Sequence, residues 1–458
     1  MARVPSLESI KLKILPKEQK TVIKANGTSF HDPSFISNKT LPMHRWVPWI
    51  AGFSSTFVRD ILSRYLDKKG VVLDPFAGVG TTLLEAVLQG HDVIGFEINP
   101  YATLACNVKI SSHNISLELL RNAIVHFSEF YDERVTSDYV PLSKPPHGFM
   151  TRHEFYSPNV LRKVLILHDF LSAITDYQIK QLFDLAFAAT LVSYSNYSYE
   201  PSLASRASTG KPEISDFPVG EAIIQKLSEM AEDILWFTTH MVQEPTNVNI
   251  INDSFFKYES YLQSDSIDLI ITSPPYLNNY HYNRNTRPHL YWLNYAKTPK
   301  DLKGLENSNF GKYWQTVRDL EKVELEFSLP GVDLEDKLNI LTEVNQDKGS
   351  YGGRGWANYA TSYFNDCRRF ASGIEYSLKP GGSALVVIGN SILQGIEIPT
   401  DQYFAKIAES MGLELIGIEV PRQTRTGNSI IQSNIRVNSK NSRQNLYEAI
   451  VELRKPQV

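Results

Sequence analysis

Two short stretches carry residue types that do chemistry. The first, VVLDPFAGVGTTLLEAVLQGHDVIGFEINPY, runs from Val71 to Tyr101. Val71 to Leu73 is an apolar run of strand type, ended by Asp74-Pro75, and Phe76 to Gly80 is a glycine-rich turn. Thr81-Thr82 open a segment through Gln89 with apolar residues at helical spacing, and Gly90 stops it. Asp92 to Phe96 is a second strand, closed by Glu97. Gly78 and Gly80 let the backbone approach a ligand closely, and a helix N-terminus offers unpaired N–H groups. An acid about twenty residues beyond the glycines, at the tip of the next strand, is placed to accept both hydroxyls of a ribose. The unit predicts a nucleoside site. The second stretch, Thr272-Ser273-Pro274-Pro275-Tyr276, directly follows the apolar run Ile267 to Ile271. Its two prolines stiffen a turn that holds a hydroxyl and an aromatic ring at the end of a strand.

Both stretches resemble motifs of one enzyme family. DPFAGVGTTLLEA followed by GFEINP resembles the cofactor-binding motif of S-adenosylmethionine-dependent amino-methyltransferases, and it lacks the third glycine of the dinucleotide fingerprint, which argues against NAD. DLIITSPPY, Asp268 to Tyr276, resembles the [Asp/Asn/Ser]-Pro-Pro-[Tyr/Phe/Trp] motif of enzymes that methylate exocyclic amino groups of bases. Such an amino group is a poor nucleophile because its lone pair is delocalised into the ring. If Ser273 Oγ and the Pro274 carbonyl each accept an amino hydrogen, the nitrogen is held with its lone pair toward the methyl donor. Tyr276 offers a face on which a flipped base stacks.

The resemblance to the DNA amino-methyltransferase family covers roughly 44–110, 248–283 and 375–453. It implies S-adenosylmethionine as cofactor, with Phe76, Gly78, Gly80 and Thr81 around it. It further implies that Glu97 holds the ribose, Asp253 accepts from the adenine amino group, and Asp74 lies near the methionine ammonium. In similar methyltransferases the segment before the glycine turn, here HRWVPW from His44, lines the methionine end; an aromatic packing segment is the plainer expectation. Ser at the first motif position usually accompanies N4 methylation of cytosine, and Asp or Asn usually accompanies N6 methylation of adenine. Methylation at cytosine C5 needs a nucleophilic cysteine, usually after a proline. Cys106 sits in Ala-Cys-Asn and Cys367 in Asp-Cys-Arg, which excludes it. The implied activity is therefore site-specific N4-cytosine methylation of flipped bases in duplex DNA, in restriction-modification or phage defence beside a cognate nuclease. The alternatives are N6-adenine methylation, an RNA base methyltransferase, and a DNA-binding regulator that has lost catalysis. The RNA enzymes generally carry Asp-Pro-Pro-Tyr and an N-terminal RNA-binding domain, for which the polar stretch before His44 is expected to be too short.

The elements that must position these residues alternate strand and helix, which predicts an α/β fold with a doubly wound, mostly parallel sheet and a mainly helical insertion. In such sheets ligands sit beyond the carboxyl ends of the strands, so the two motifs should share one cleft. Strands are expected at 248–251, 267–271, 383–388, 413–420 and 446–453, with a turn at Lys379-Pro380-Gly381-Gly382. Helices are expected near 101–110, 115–132, from Ser157, at 176–192, 219–241 and 401–411. The stretch 193–218, rich in Ser, Tyr and Gly, reads as a long loop. The organisation is then a basic arm, 1–43; a cofactor-binding half, 44–110; a mainly helical insertion, 111–245; the catalytic region, 246–283; a second insertion, 284–360; and a C-terminal part, 361–458. Either insertion could recognise the target.

Charge is unevenly spread. The net value is −4, yet residues 1–50 hold eight basic side chains against three acids. Between Pro421 and Asn445 lie Arg422, Arg425, Arg436, Lys440 and Arg443 with no acid, a footprint suited to DNA phosphate. Two cysteines support neither a disulfide framework nor a zinc site, so no metal is expected and a reducing cytoplasm is. No signal-peptide core and no run of about eighteen apolar residues is present, so no membrane span is expected.

Overall fold

The computed structural model describes residues 29–47, 49, 52, 54–199, 202–278, 280, 282–422 and 446–457. The chain first builds α1 (Ser55–Tyr65), β1 (Val71–Asp74), α2 (Thr81–Leu88), β2 (Asp92–Phe96) and α3 (Pro100–Ser111). A helical stretch follows: α4 (Leu117–Thr136), α5 (Pro158–Ala173), α6 (Tyr177–Thr190), the hairpin β3 (Tyr197–Tyr199) and β4 (Leu203–Ser205), then α7 (Val219–His240). The sheet resumes with β5 (Val248–Ile251) and β6 (Ile267–Thr272). Four short helices come next: α8 (Tyr282–Trp292), α9 (Pro299–Asn307), α10 (Trp314–Val317) and α11 (Leu334–Glu343). The chain closes with α12 (Gly353–Ser377), β7 (Leu378–Gly389), the hairpin β8 (Ser391–Leu393) and β9 (Ile396–Ile398), α13 (Thr400–Ser410), β10 (Glu414–Arg422) and β11 (Glu448–Arg454).

The seven-stranded sheet has the order β10-β11-β7-β6-β1-β2-β5. Neighbours from β7 to β5 pair parallel, and β11 pairs antiparallel with both β7 and β10. This is the doubly wound α/β sheet that the alternation of elements predicts. Alternation along the strands explains why both faces must be covered. Leu269 and Ile271 of β6 pack with α1 to α7, while Ile267 and Ile270 pack with α12 and α13. Leu385 and Val387 of β7 join the first side, and Ala384, Val386 and Ile388 the second. Among the described residues no helix is long and apolar enough to cross a membrane.

Several boundaries differ from the sequence expectation. Lys379 to Gly382 does not form a separate turn; it is a disruption inside β7, where pairing slips between Ile267 and Leu269 and Gly381 takes a φ of +82°. The 193–218 stretch contains the β3–β4 hairpin. α4 runs to Thr136, beyond the expected end near 132, and Ser137 ends it. Position 360 falls inside α12, which begins at Gly353.

One buried acid fastens the segment before α1 to the helical stretch. Asp233 of α7, 2% exposed, accepts from Met43 N at 2.8 Å and Trp46 Nε1 at 2.9 Å. Arg45 grips it from Nε at 3.0 Å and Nη2 at 2.6 Å. Next to it, His44 Nε2 meets buried Glu85 of α2 at 2.7 Å. Replacing Asp233 with Ala strands four donors against a buried site. Unfolding free energy from a urea titration should fall by about 3 kcal/mol, with a smaller loss for Arg45→Ala, whose side chain is partly in solvent.

Candidate functional site

The ends of β1, β2 and β6 meet at the cofactor-type turn. Asp74, the last residue of β1 and 1% exposed, accepts from Thr272 Oγ1 at 2.6 Å and from Phe76 N at 3.0 Å. Burial pushes its carboxyl up to about 6, against the pull of the Thr272 hydroxyl. The turn is fastened to β2 as well: Ala77 N donates to Phe96 O at 2.9 Å, and Gly78 N to Glu97 Oε2 at 2.9 Å. Glu97 Oε1 accepts from Asn99 N at 2.7 Å. Desolvation pushes Glu97 up to about 7, with the two backbone donors opposing the rise and the Asp74 charge adding to it. Gly78 has a φ of +52°, and a Cβ there would stand 3.0 Å from Trp49 Nε1. Gly80, at +83°, would bring a Cβ to 2.6 Å from Cys106 Sγ, so neither position takes a side chain without rebuilding its surroundings.

β6 delivers the second motif to the same place. Ser273 Oγ donates to Tyr276 OH at 3.4 Å, and Tyr276 OH to Glu448 Oε1 at 3.5 Å. From α12, Tyr363 OH donates to Pro275 O at 3.0 Å and holds the proline turn from behind.

Between the two motifs lies a cavity of about 340 Å³, within the range of small-ligand sites. Its walls bring together Phe76, Gly78, Glu97, Asp253 and the whole run Ser273 to Tyr276. Asp74, Gly80 and Thr81 lie behind that wall, shaping the turn from its buried side. Trp49 of the HRWVPW segment also lines it. Asp253 is already engaged: Oδ2 accepts from Lys257 Nζ at 2.9 Å and Tyr261 OH at 2.8 Å, and Oδ1 from Ser254 N at 2.8 Å. Burial works against its charge, and the Lys257 ammonium and Tyr261 hydroxyl overcome that and hold the carboxyl below the usual range.

Sequence reasoning missed several wall residues. Phe256 and Phe310 stack at 6.0 Å between ring centres, and Phe76 meets Phe310 edge-on at 5.3 Å. Phe256 sits three residues after Asp253, so its position beyond a strand end was a usable signal. Phe310 lies in a polar stretch without periodicity and gave none. Glu448 and Asn283 also line the cavity. Arg422 ends β10 opposite Glu448 in register, and Arg425, Arg436, Lys440 and Arg443 lie outside the described residues. Both described ends of that basic stretch therefore emerge beside the cavity.

Glu97 sets a testable pH dependence for the free protein. Its folded-state value of about 7 lies above the ordinary 4.5, so the folded form holds the proton more tightly. The stabilisation is present in full below about 4.5 and lost as pH rises through about 7. The melting temperature of Glu97→Gln minus that of the wild type should accordingly rise across this window. Asp74 adds a smaller slope of the same sign up to about 6, isolated by Asp74→Asn.

Comparison with known proteins agrees with this geometry. A family model described as DNA methylase matches residues 17–107. The Type II methyltransferase M.BsoBI of Geobacillus stearothermophilus is 26% identical over 430 residues, covering 86% of this chain and 83% of its own. Type II methyltransferase M.AvaI of Nostoc sp. PCC 7120 is 26% identical over 92% of this chain and 88% of its own. Type II methyltransferase M.MvaI of Kocuria varians is 21% identical over 72% of each. Two motifs on adjacent strand ends, one cavity between them and relatives that span most of the chain lead to one conclusion: the chain is similar to DNA methylases over residues 17–107 and to Type II methyltransferases over most of its length.

Proposed function

We propose that the protein methylates the N4 amino group of a cytosine flipped out of duplex DNA at a specific short site. The observation that carries this is Ser273 in the wall of the cavity that also holds Glu97. Its proton is directed to Tyr276, which leaves its lone pairs to accept an amino hydrogen. A neutral hydroxyl needs no shifted pKa for that task, and the proline turn, braced by Tyr363, keeps it in place. Tyr276 stacks on the base. S-adenosylmethionine supplies an activated methyl on a sulfonium when bound. Around it, Phe76, Gly78, Gly80 and Thr81 shape the turn, and Glu97 accepts from the ribose through the lone pairs its amide partners leave over. Asp253 accepts from the adenine amino group, and Asp74, directed at Thr272, orders the turn toward the methionine end. The helical stretch 111–245 and the stretch 284–360 are the candidates for target recognition, and the basic arm 1–43 adds to the DNA footprint. The relatives are named Type II methyltransferases, which supports a restriction-modification or defence role beside a cognate nuclease. Two buried free cysteines fit a reducing cytoplasm.

Mass spectrometry of digested DNA from cells expressing the protein decides the base: N4-methylcytosine is expected. N6-methyladenine alone would overturn the choice of base, and methylation of RNA but not DNA with labelled cofactor would overturn the substrate. Ser273→Ala should slow single-turnover methyl transfer by roughly 10²-fold or more while cofactor affinity stays near wild type, since the serine acts at the reacting base.

The basic stretch that opens beside Glu448 is assigned to DNA phosphates. Neutralising Arg422, Arg425 and Arg436 together should flatten the salt dependence of DNA binding by up to about 0.9 for each phosphate these side chains neutralise. An unchanged slope in a fluorescence-anisotropy titration would place the DNA backbone elsewhere.

A further inference from the structure

Ser273, Tyr276 and Glu448 form a chain of polar atoms that runs out of the catalytic turn and ends on a carboxylate. Ser273 Oγ donates to Tyr276 OH at 3.4 Å, and Tyr276 OH donates to Glu448 Oε1 at 3.5 Å. All three residues line the cavity. The chain has one direction, because an ionised carboxylate accepts and does not donate. Its links are long, as catalytic hydrogen bonds often are before substrate tightens them. We propose that Glu448 is the terminal proton acceptor of the methyl transfer, acting through the Tyr276 hydroxyl; this rests on the reading of the cavity as an amino-methylation site.

The step balances without a further reactant. The amino nitrogen forms its bond to the methyl carbon as the sulfonium–methyl bond breaks, and that bond's electron pair stays on sulfur. The nitrogen now carries one substituent too many and becomes acidic. Its N–H proton passes to Ser273 Oγ as the serine proton moves to Tyr276 OH and the tyrosine proton to the Glu448 carboxylate, leaving all three hydroxyl and amino groups neutral. Glu448 then releases the proton to solvent on the open side, where β11 begins. Without that sink the cation made by transfer would persist beside a neutral serine in a desolvated pocket, which is costly.

Several polar and charged groups surround Glu448. Tyr276 faces it from the motif turn, Arg422 stands opposite in register on β10, and Glu97 and Asp253 lie in other walls of the cavity. Next to it in sequence, Tyr447 OH is committed to Asp401 at 3.0 Å. Glu97 titrates in the same cavity, so the two carboxylates must be separated by what they change. Glu97 acts on cofactor affinity, whereas Glu448 acts on the rate once cofactor and DNA are bound.

The test is the pH profile of single-turnover methyl transfer at saturating S-adenosylmethionine and saturating duplex DNA. The wild type should show a rate that rises with pH to a plateau. Glu448→Gln should lower the plateau by about 10²-fold, the scale of positioned acid–base help, and abolish the rise. Calorimetric affinity for S-adenosylmethionine and anisotropy-measured affinity for DNA should each stay within about twofold, since the amide keeps the shape of the side chain. A Gln variant with wild-type rate, or with a slow rate that still rises with pH as in the wild type, overturns the proposal. Should the Gln variant not fold, Tyr276→Phe breaks the same chain at its middle, keeps the stacking ring, and decides by the same criteria. The identity of the methylated base in wild-type product is read separately, so failure of the N-methylation reading shows in the product and failure of the relay shows in the profile.

Discussion

A buried carboxylate needs a partner, and the one Asp74 finds is Thr272, at 2.6 Å across 198 positions of sequence. β1 and β6 lie side by side in the sheet, so this contact joins their last residues. The glycine turn leaves from one and the Ser-Pro-Pro-Tyr turn from the other. This side-chain bond, added to the β1–β6 backbone pairing, ties the two turns together at the point where both loops start. From the opposite side, Glu97 holds the Gly78 amide and the Phe96 carbonyl holds Ala77. The turn is thus pinned to three neighbouring strand ends, β6, β1 and β2, and a ligand meets a backbone that has little freedom left to lose. Binding to a preorganised site costs less ordering entropy than binding to a mobile loop.

The remaining walls come from segments far away in sequence, and each is anchored by its own buried polar or aromatic contact. α12 supplies Tyr363 to the proline turn and Phe370, whose ring meets Phe76 at 5.2 Å. Arg369 on the same helix lies 3.9 Å over the Phe256 ring, covering the outer side of an aromatic wall that Phe310 completes. On the other side, the Asp233 clamp holds Met43, Arg45 and Trp46, and thereby the segment that brings Trp49 against Gly78. The helical stretch that carries Asp233 shares one apolar core with α1 to α3. It is therefore built into the cavity's support.

Those origins explain what the sequence disclosed. The unit from Val71 to Glu97 was legible because period, breakers and glycine spacing agree along the whole of it, and β6 was legible because an apolar run stops at two prolines. Contacts within a motif follow from local pattern. Contacts between motifs do not: nothing in the sequence aims Asp74 at Thr272, or Asp233 at the segment around Trp46. The hairpins at Tyr197–Ser205 and Ser391–Ile398 use strands of three residues, too short to show alternation. Lys379 to Gly382 has the composition of a turn, yet the flanking residues pair on both sides, and the strand absorbs the irregularity as a break in register.

The reversed strand has a consequence for charge. In a parallel sheet the ligand side is the carboxyl end of every strand, and only a strand running backward offers its first residue there. β11 is that strand, and its first residue is Glu448. The cavity wall thus carries three carboxylates, Glu97, Asp253 and Glu448, from three different strand ends. Acidic walls of this kind disfavour an anionic group inside the cavity. At this same edge β10 ends at Arg422, opposite Glu448 in register.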